Sequence, residues 1–247
     1  MTTHYVRATI AYDGTDFLGF QWQPNGRTVQ GVLEAALDRV SESHSRVVGA
    51  GRTDSGVHAR GQVIAFHVAW RHPLADLQRA LNAVLPEDVV VLELGPAAPG
   101  WHPRFSALRR HYRYTVLNQP LRSPLDRRYA WQVPEPLHLE ALQAAAELLL
   151  GEHDFASFGQ PTEGESTVRY LSQARWQQSG PWFTFDIAGN AFLRGMVRSI
   201  VGTLLQVGRG LWPVEQVARI LAARDRAAAA PPAPACGLCL MRVEYEV

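Results

Sequence analysis

Apolar and polar positions alternate every second residue from Tyr5 to Tyr12, then change to a three-to-four-residue spacing at Val29, Val32, Leu33, Ala36, Leu37 and Val40. A period of two predicts a strand and a period near 3.6 a helix, here opened by Thr28, whose hydroxyl suits an N-cap. The same rules predict strands at Arg46 to Ala50, Gln62 to Val68 and Asp88 to Leu94, with a helix at Leu74 to Leu85. The passage Gly95-Pro96-Ala97-Ala98-Pro99-Gly100 ends this half. A second half opens with a long alternating strand, Leu108 to Leu117, and continues with a helix at Leu137 to Leu150. Strands at Ala174 to Gln178 and Trp182 to Ile187 follow, then a helix from about Ala191 to Val207, another after Pro213, and a last strand at Leu240 to Val247. The Ala/Pro tract Ala227 to Pro234 predicts an extended connector or lid. The expected organisation is two α/β halves, 1–104 and 105–247, each built of strands and helices around a mixed sheet.

Composition changes little until it is resolved by position. At 247 residues and 47% hydrophobic content the chain has room for a large core. No stretch reaches the roughly 18 apolar residues that cross a bilayer, and Met1 to Tyr5 lacks the basic-then-apolar start of an export signal, so a cytoplasmic location is expected. The two cysteines, Cys236 and Cys239, fit buried thiols better than a disulfide framework or a zinc site, for which two further ligands are missing. Net charge is only +1, yet residues 101–130 carry seven arginines against the single acid Asp126, a local charge of +6. Residues 190–210 add Arg194, Arg198 and Arg209 with no acid, leaving −8 for the remainder. All 24 basic residues are arginine, so each can grip a phosphate through two parallel hydrogen bonds. Such segregation suits a face for a polyanion and equally an ordinary solvated charged face.

The densest chemistry lies in Gly49-Ala50-Gly51-Arg52-Thr53-Asp54-Ser55-Gly56-Val57-His58. Small residues let a bulky ligand approach, Arg52 favours an ionised Asp54, and a carboxylate held charged beside a substrate is a nucleophile. The loop Asp13 to Gln23 mixes turn formers with aromatics that either stack on bases or pack internally. In Arg109-Arg110-His111-Tyr112-Arg113-Tyr114, strand periodicity puts Tyr112 and Tyr114 on one face and His111 and Arg113 on the other. These tyrosines serve either as core residues or as platforms beside a reacting base. Within the apolar stretch Asn190 to Gly202, Arg194 and Arg198 stand four apart, and a buried arginine there requires a partner: Asp54 or a structural acid. His153 and Asp154 are adjacent on a short turn and do not converge on a metal ion.

These segments resemble the tRNA pseudouridine synthase A family from residue 5 to residue 245. The resemblance is carried by Tyr12-Asp13-Gly14-Thr15 with Gly19 and Gln21, by Thr28-Val29-Gln30 and Leu33-Glu34, and by Gly51 to Ala59. It continues through Leu81-Asn82, Leu85-Pro86, Arg104-Phe105-Ser106-Ala107, Tyr112-Arg113-Tyr114, Gly151, His153-Asp154-Phe155, Phe192-Leu193, Met196-Val197-Arg198, Ala233-Pro234, Gly237-Leu238 and Leu240. Phe20, where tryptophan is usual, and Gly195, where a larger residue is common, are departures. The resemblance implies an α+β fold: two α/β halves sharing a mostly antiparallel central sheet, flanked by helices, with a basic cleft between the halves. It implies isomerisation of uridine to pseudouridine at positions 38 to 40 of the tRNA anticodon stem-loop by a homodimer, with no cofactor, no metal, no membrane and no other protein partner. Asp54 becomes the nucleophile, Tyr112 the aromatic that stacks on and assists the target base, and Arg198 the basic partner of Asp54. Candidate substrate-binding residues are Arg52, Thr53, Ser55, His58, Arg110 and Arg113.

Two other classes share some of these features. Asp54-Ser55-Gly56 matches the local signature of aspartic peptidases, but those pair two carboxylates in an all-β fold and this chain has no second copy. A non-catalytic RNA-binding or chaperone module accounts for the arginines and tyrosines but not for an acid that weakens phosphate binding.

Overall fold

The structure, a computed structural model, describes residues 3–41, 44–161 and 164–246. In chain order the elements are β1 (Thr3–Tyr12), α1 (Val29–Val40), β2 (Val48–Gly49), β3 (His58–Ala69), α2 (Leu74–Val84), β4 (Val89–Pro96), β5 (Ala107–Asn118), β6 (Trp131–Val133), α3 (Leu139–Glu147), β7 (Gly151–Asp154), β8 (Val168–Ser179), β9 (Trp182–Gly189), α4 (Met196–Gly208), α5 (Gln216–Ala223) and β10 (Leu238–Tyr245). The chain forms two compact units, Met1–Leu108 with Leu240–Val247, and Arg109–Cys239, so nearly all of β10 belongs to the first.

In the first unit the strand order is β4-β1-β3-β10, with β2 beside β3. β1 runs antiparallel to β3 (Thr3↔Ala69 to Tyr12↔Ala59) and to β4 (Val6↔Pro96 to Tyr12↔Val89). The predicted alternation holds: Val6, Ala8, Ile10 and Tyr12 are buried. Core also comes from Leu33 and Leu37 of α1 and Leu77 and Leu81 of α2, each buried side chain contributing about 1.5–3 kcal/mol. Thr28 caps α1 by accepting the Gly31 N–H. β3 starts four residues before the period suggests, because Gly61 interrupts the apolar pattern; a Cβ there would lie 2.5 Å from the Met241 carbonyl oxygen of β10. The strand expected at Arg46 to Ala50 pairs only over Val48–Gly49.

In the second unit the order is β7-β8-β9-β5, with β6 parallel to β5 and the other pairings antiparallel. The sheet is thus mixed and mostly antiparallel, and the fold is α+β. Trp176 stacks on Phe185 at 4.9 Å, over a core that includes Tyr114, Phe183, Leu142 and Leu204. Most of α4 is buried, and Gly208 lets it approach Leu142 of α3, where a Cβ would come within 2.6 Å.

Three local expectations change. His153 and Asp154 lie on a short strand, β7, rather than a turn; Asp154 accepts from the Thr167 hydroxyl (2.5 Å) and the Ala156 amide (3.1 Å), hydrogen bonds that hold its carboxyl below the usual range. The helix expected from Ala191 starts at Met196, because Gly195 adopts φ +73 and the preceding turn is fixed by a bridge between Gln160 and Arg194. Arg194 therefore precedes the helix that carries Arg198. The Ala/Pro tract is a packed strap, not a lid: Ala233 N–H donates to the Arg198 carbonyl (2.9 Å), Ala230 N–H to the Thr203 hydroxyl (3.2 Å), and both alanines are buried against α4.

Candidate active site

The Asp54 loop joins β2 to β3 and is held by the rest of the first unit at nearly every residue. Ala50 N–H donates to the Val63 carbonyl (2.8 Å), and the buried Gln62 amide donates to the Gly51 carbonyl (2.9 Å). Phe20 N–H donates to the Thr53 carbonyl (3.0 Å), while the Thr53 hydroxyl and Tyr12 phenol share a hydrogen bond of 2.8 Å. Ser55 Oγ and Gly56 N–H both donate to the Phe17 carbonyl, at 3.1 and 3.3 Å, and Val57 N–H closes a turn onto the Asp54 carbonyl (3.2 Å). Gly56 carries φ +78, which a side chain would strain. Asp54 is half-buried at the centre of this cage, and Arg52 is exposed beside it.

His58 lies beneath the loop, buried. Its Nδ1 accepts the Gly14 N–H at 3.0 Å. The Asp13 carboxylate, 3.1 Å from the same nitrogen, is engaged by the Thr15 amide and hydroxyl at 3.0 and 2.6 Å. Thr53, Ser55 and His58, expected around the substrate, thus all bond within the loop's own surroundings and fix the backbone on either side of Asp54. Of the anchors, Tyr12 belongs to a segment that carries the family resemblance, whereas Phe17 and Gln62 are given no role by the sequence, although Phe17 falls in the aromatic-rich start of the chain.

In the second unit, β5 presents Arg110, Tyr112 and Tyr114 on its buried face and His111 and Arg113 on the other, as the strand period predicts. Tyr112 meets Phe192 edge-on at 5.2 Å between ring centres. Tyr114 donates its hydroxyl to the Pro234 carbonyl (2.8 Å), and burial pushes the phenol far above its ordinary range, so it is a core residue that keeps its proton. Arg110 is buried and gives Nη1 to the Asn190 carbonyl (2.6 Å). Arg113 makes a bidentate pair with Asp186 on β9 (2.7 and 2.9 Å), and those hydrogen bonds raise its guanidinium above the usual value. Arg198, in the first turn of α4, donates Nε to the Ala233 carbonyl (2.7 Å), which fixes the plane of its guanidinium. Among the described residues no group of three or more His, Cys, Asp or Glu could hold a metal ion, and no helix is long and apolar enough to cross a membrane.

A family model described as tRNA pseudouridine synthase matches residues 8–106 and 145–246; Asp54 and Arg198 fall inside the matched segments and Tyr112 between them. The chain belongs to the tRNA pseudouridine synthase family. It is 48% identical to tRNA pseudouridine synthase A of Roseiflexus sp. (strain RS-1) over 97% of this chain and 90% of that one. It is 46% identical to the protein of the same name from Moorella thermoacetica, over 97% and 99%. A solved Cbf5-Nop10-Gar1 complex is matched at 14% identity with a TM-score of 0.36, over 81% of this chain and 45% of that one, a likeness too weak to define a fold.

Proposed function

We propose that this chain isomerises uridine to pseudouridine in tRNA, at positions 38 to 40 of the anticodon stem-loop, with Asp54 as nucleophile. The observation that carries the assignment is the cage around Asp54. The neighbouring hydroxyls of Thr53 and Ser55 are engaged by Tyr12 and Phe17, so the backbone that carries the Asp54 carboxylate is fixed from both sides. A group positioned in this way meets a bound nucleotide without first being ordered, and that preorganisation lowers the barrier.

The reaction breaks the bond between N1 of the base and C1′ of ribose and forms one between C5 and C1′. The proton lost from C5 is matched by one gained at N1, so redox state and composition are unchanged and no cofactor enters. The target nucleotide leaves the helical stack to reach the carboxylate, at a cost of a few kcal/mol. Tyr112 offsets that cost as an aromatic face for the base, and Arg198 supplies a fixed cation, the roles the family pattern gives these positions. Supporting them are the edge-on contact of Tyr112 with Phe192 and the anchoring of Arg198 on Ala233. Arg52 contacts phosphate, while Arg110 and Arg113 act mainly in holding β5 to its neighbours.

The active form is a cytoplasmic homodimer in this proposal. The free thiols of Cys236 and Cys239 fit a reducing compartment. Leu121 and Leu125, 80% and 89% exposed on a loop braced by Ser123 and Asp126, offer apolar surface to a second copy.

The test is to incubate the protein with unmodified tRNA transcripts and map pseudouridine by carbodiimide-dependent primer-extension stops. Stops on the 3′ side of the anticodon arm are expected from the wild type and none from Asp54→Asn, which keeps the side-chain volume and still binds tRNA. Product from Asp54→Asn would remove Asp54 from the chemistry, and tight binding without product by the wild type would mean a non-catalytic RNA-binding protein.

A further inference from the structure

Of the nine phenylalanines, seven are buried and Phe192 is half-buried; Phe105 alone stands in solvent, 73% exposed. Its loop is not loose. The Trp101 carbonyl accepts the Tyr5 hydroxyl (2.9 Å), the Trp101 ring packs against Tyr245 at 5.1 Å, and the Tyr245 hydroxyl donates to the Pro103 carbonyl (2.7 Å). His102 and Ser106 exchange two hydrogen bonds of 3.0 Å, amide to hydroxyl and amide to carbonyl. His102 Nδ1 accepts the backbone N–H groups of both Arg104 (3.1 Å) and Phe105 (3.3 Å). The Phe105 ring rests against the His102 ring at 4.4 Å and has the Arg104 guanidinium 5.7 Å from its centre. A ring covered on both faces could not be so exposed, so one face is open to a ligand.

We propose that Phe105, with Arg104 beside it, is a stacking platform for an unpaired base of the bound RNA, a contact separate from the reacting uridine. The proposal rests on the tRNA-modifying function above. Three features point to nucleic acid. The loop's backbone is fixed by hydrogen bonds before any ligand arrives, so stacking on the ring costs little ordering of the chain. An aromatic face paired with arginine suits a base on its phosphate backbone. Between Glu93 and Asp126 the chain has no acid, and Arg104, next to the ring in sequence, favours a polyanion over an acidic partner. The platform is also remote from the chemistry: its loop is tied to Tyr5 and the Asp54 loop to Tyr12, seven residues further along β1, a distance of about 23 Å. It therefore acts on binding of a large substrate and not on the bond-changing step.

The experiment compares wild type, Phe105→Leu and Phe105→Trp for binding of unmodified tRNA transcript, single-turnover rate at saturating enzyme, melting temperature and sedimentation. Phe105→Leu keeps an apolar side chain and loses the π face, so its Kd should rise by about tenfold or more while the saturated rate and melting temperature stay unchanged. Phe105→Trp should restore Kd to within about twofold of wild type. Wild-type Kd for Phe105→Leu, failure of Trp to rescue, or a change in oligomeric state would overturn the platform. A wild-type protein that neither binds nor modifies tRNA would instead remove the function on which the inference rests.

Discussion

Gly14 shows how much of the Asp54 loop depends on single atoms. A Cβ built on it would lie 2.0 Å from the Val57 carbonyl oxygen, and its N–H donates to His58 Nδ1. The obstructing atom is backbone, so relief requires moving the turn that presents Asp54. Gly14→Ala should lower stability by about 1–3 kcal/mol in urea unfolding and reduce turnover at least tenfold. Gly95→Ala, whose Cβ meets nothing within 4 Å, is the matched control and should leave both unchanged. A wild-type rate for Gly14→Ala would show that the turn tolerates displacement. At this scale Asp54 was legible because glycines, an arginine and one carboxylate crowd a short segment. The cage was not, because a threonine or serine hydroxyl reads the same whether it faces a ligand or its own fold. Thr53 finds Tyr12 41 positions away and Ser55 finds Phe17 38 away, separations that no local pattern encodes.

The elements that followed the sequence most closely are those whose periodicity and packing agree. α1 spans Val29–Val40 behind its Thr28 cap, and β5 puts its tyrosines on one face, because a half-buried strand or helix must repeat its apolar side. The misplacements occur where a glycine's role, packing or turning, is not the one its local pattern suggests. Gly61 looks like a strand break but admits β10, whereas Gly195 looks compatible with a helix yet takes positive φ and delays α4. The Ala/Pro tract is the sharpest case: its composition suggests an extended connector or lid, but small residues also let a chain lie flat on a helix. A Cβ on Gly202 would lie 2.1 Å from the Pro231 carbonyl oxygen, so α4 and the strap meet backbone to backbone. Gly202→Ala should cost about 1–3 kcal/mol in chemical denaturation and loosen the strap, with faster amide exchange at Ala230 and Ala233, whose N–H groups donate to α4. Unchanged exchange at those two amides would mean that the strap is held elsewhere.

Charge is the property of the whole molecule that the sequence shows only in outline. A net charge of +1 conceals a +6 segment at residues 101–130, but the structure divides those arginines by what they already hold. Arg113 is held by Asp186, in a pair that contributes little net field, and Arg110 by a carbonyl. Counting arginines along the chain therefore overstates the charge that RNA meets. Salt dependence of tRNA binding separates Arg52, proposed to contact phosphate, from Arg113, which holds Asp186, because only an arginine that displaces a condensed cation from phosphate changes the slope. Arg52→Gln should reduce the slope of log K against log[salt] by about 0.7 to 0.9, one phosphate contact. Arg113→Gln should leave the slope alone and lower the melting temperature, since it strands the Asp186 carboxylate, whose side chain is only 18% exposed. If Arg113→Gln flattened the slope as much as Arg52→Gln, its pair with Asp186 would have to open on binding, and β5 would be an RNA-contacting strand rather than a support.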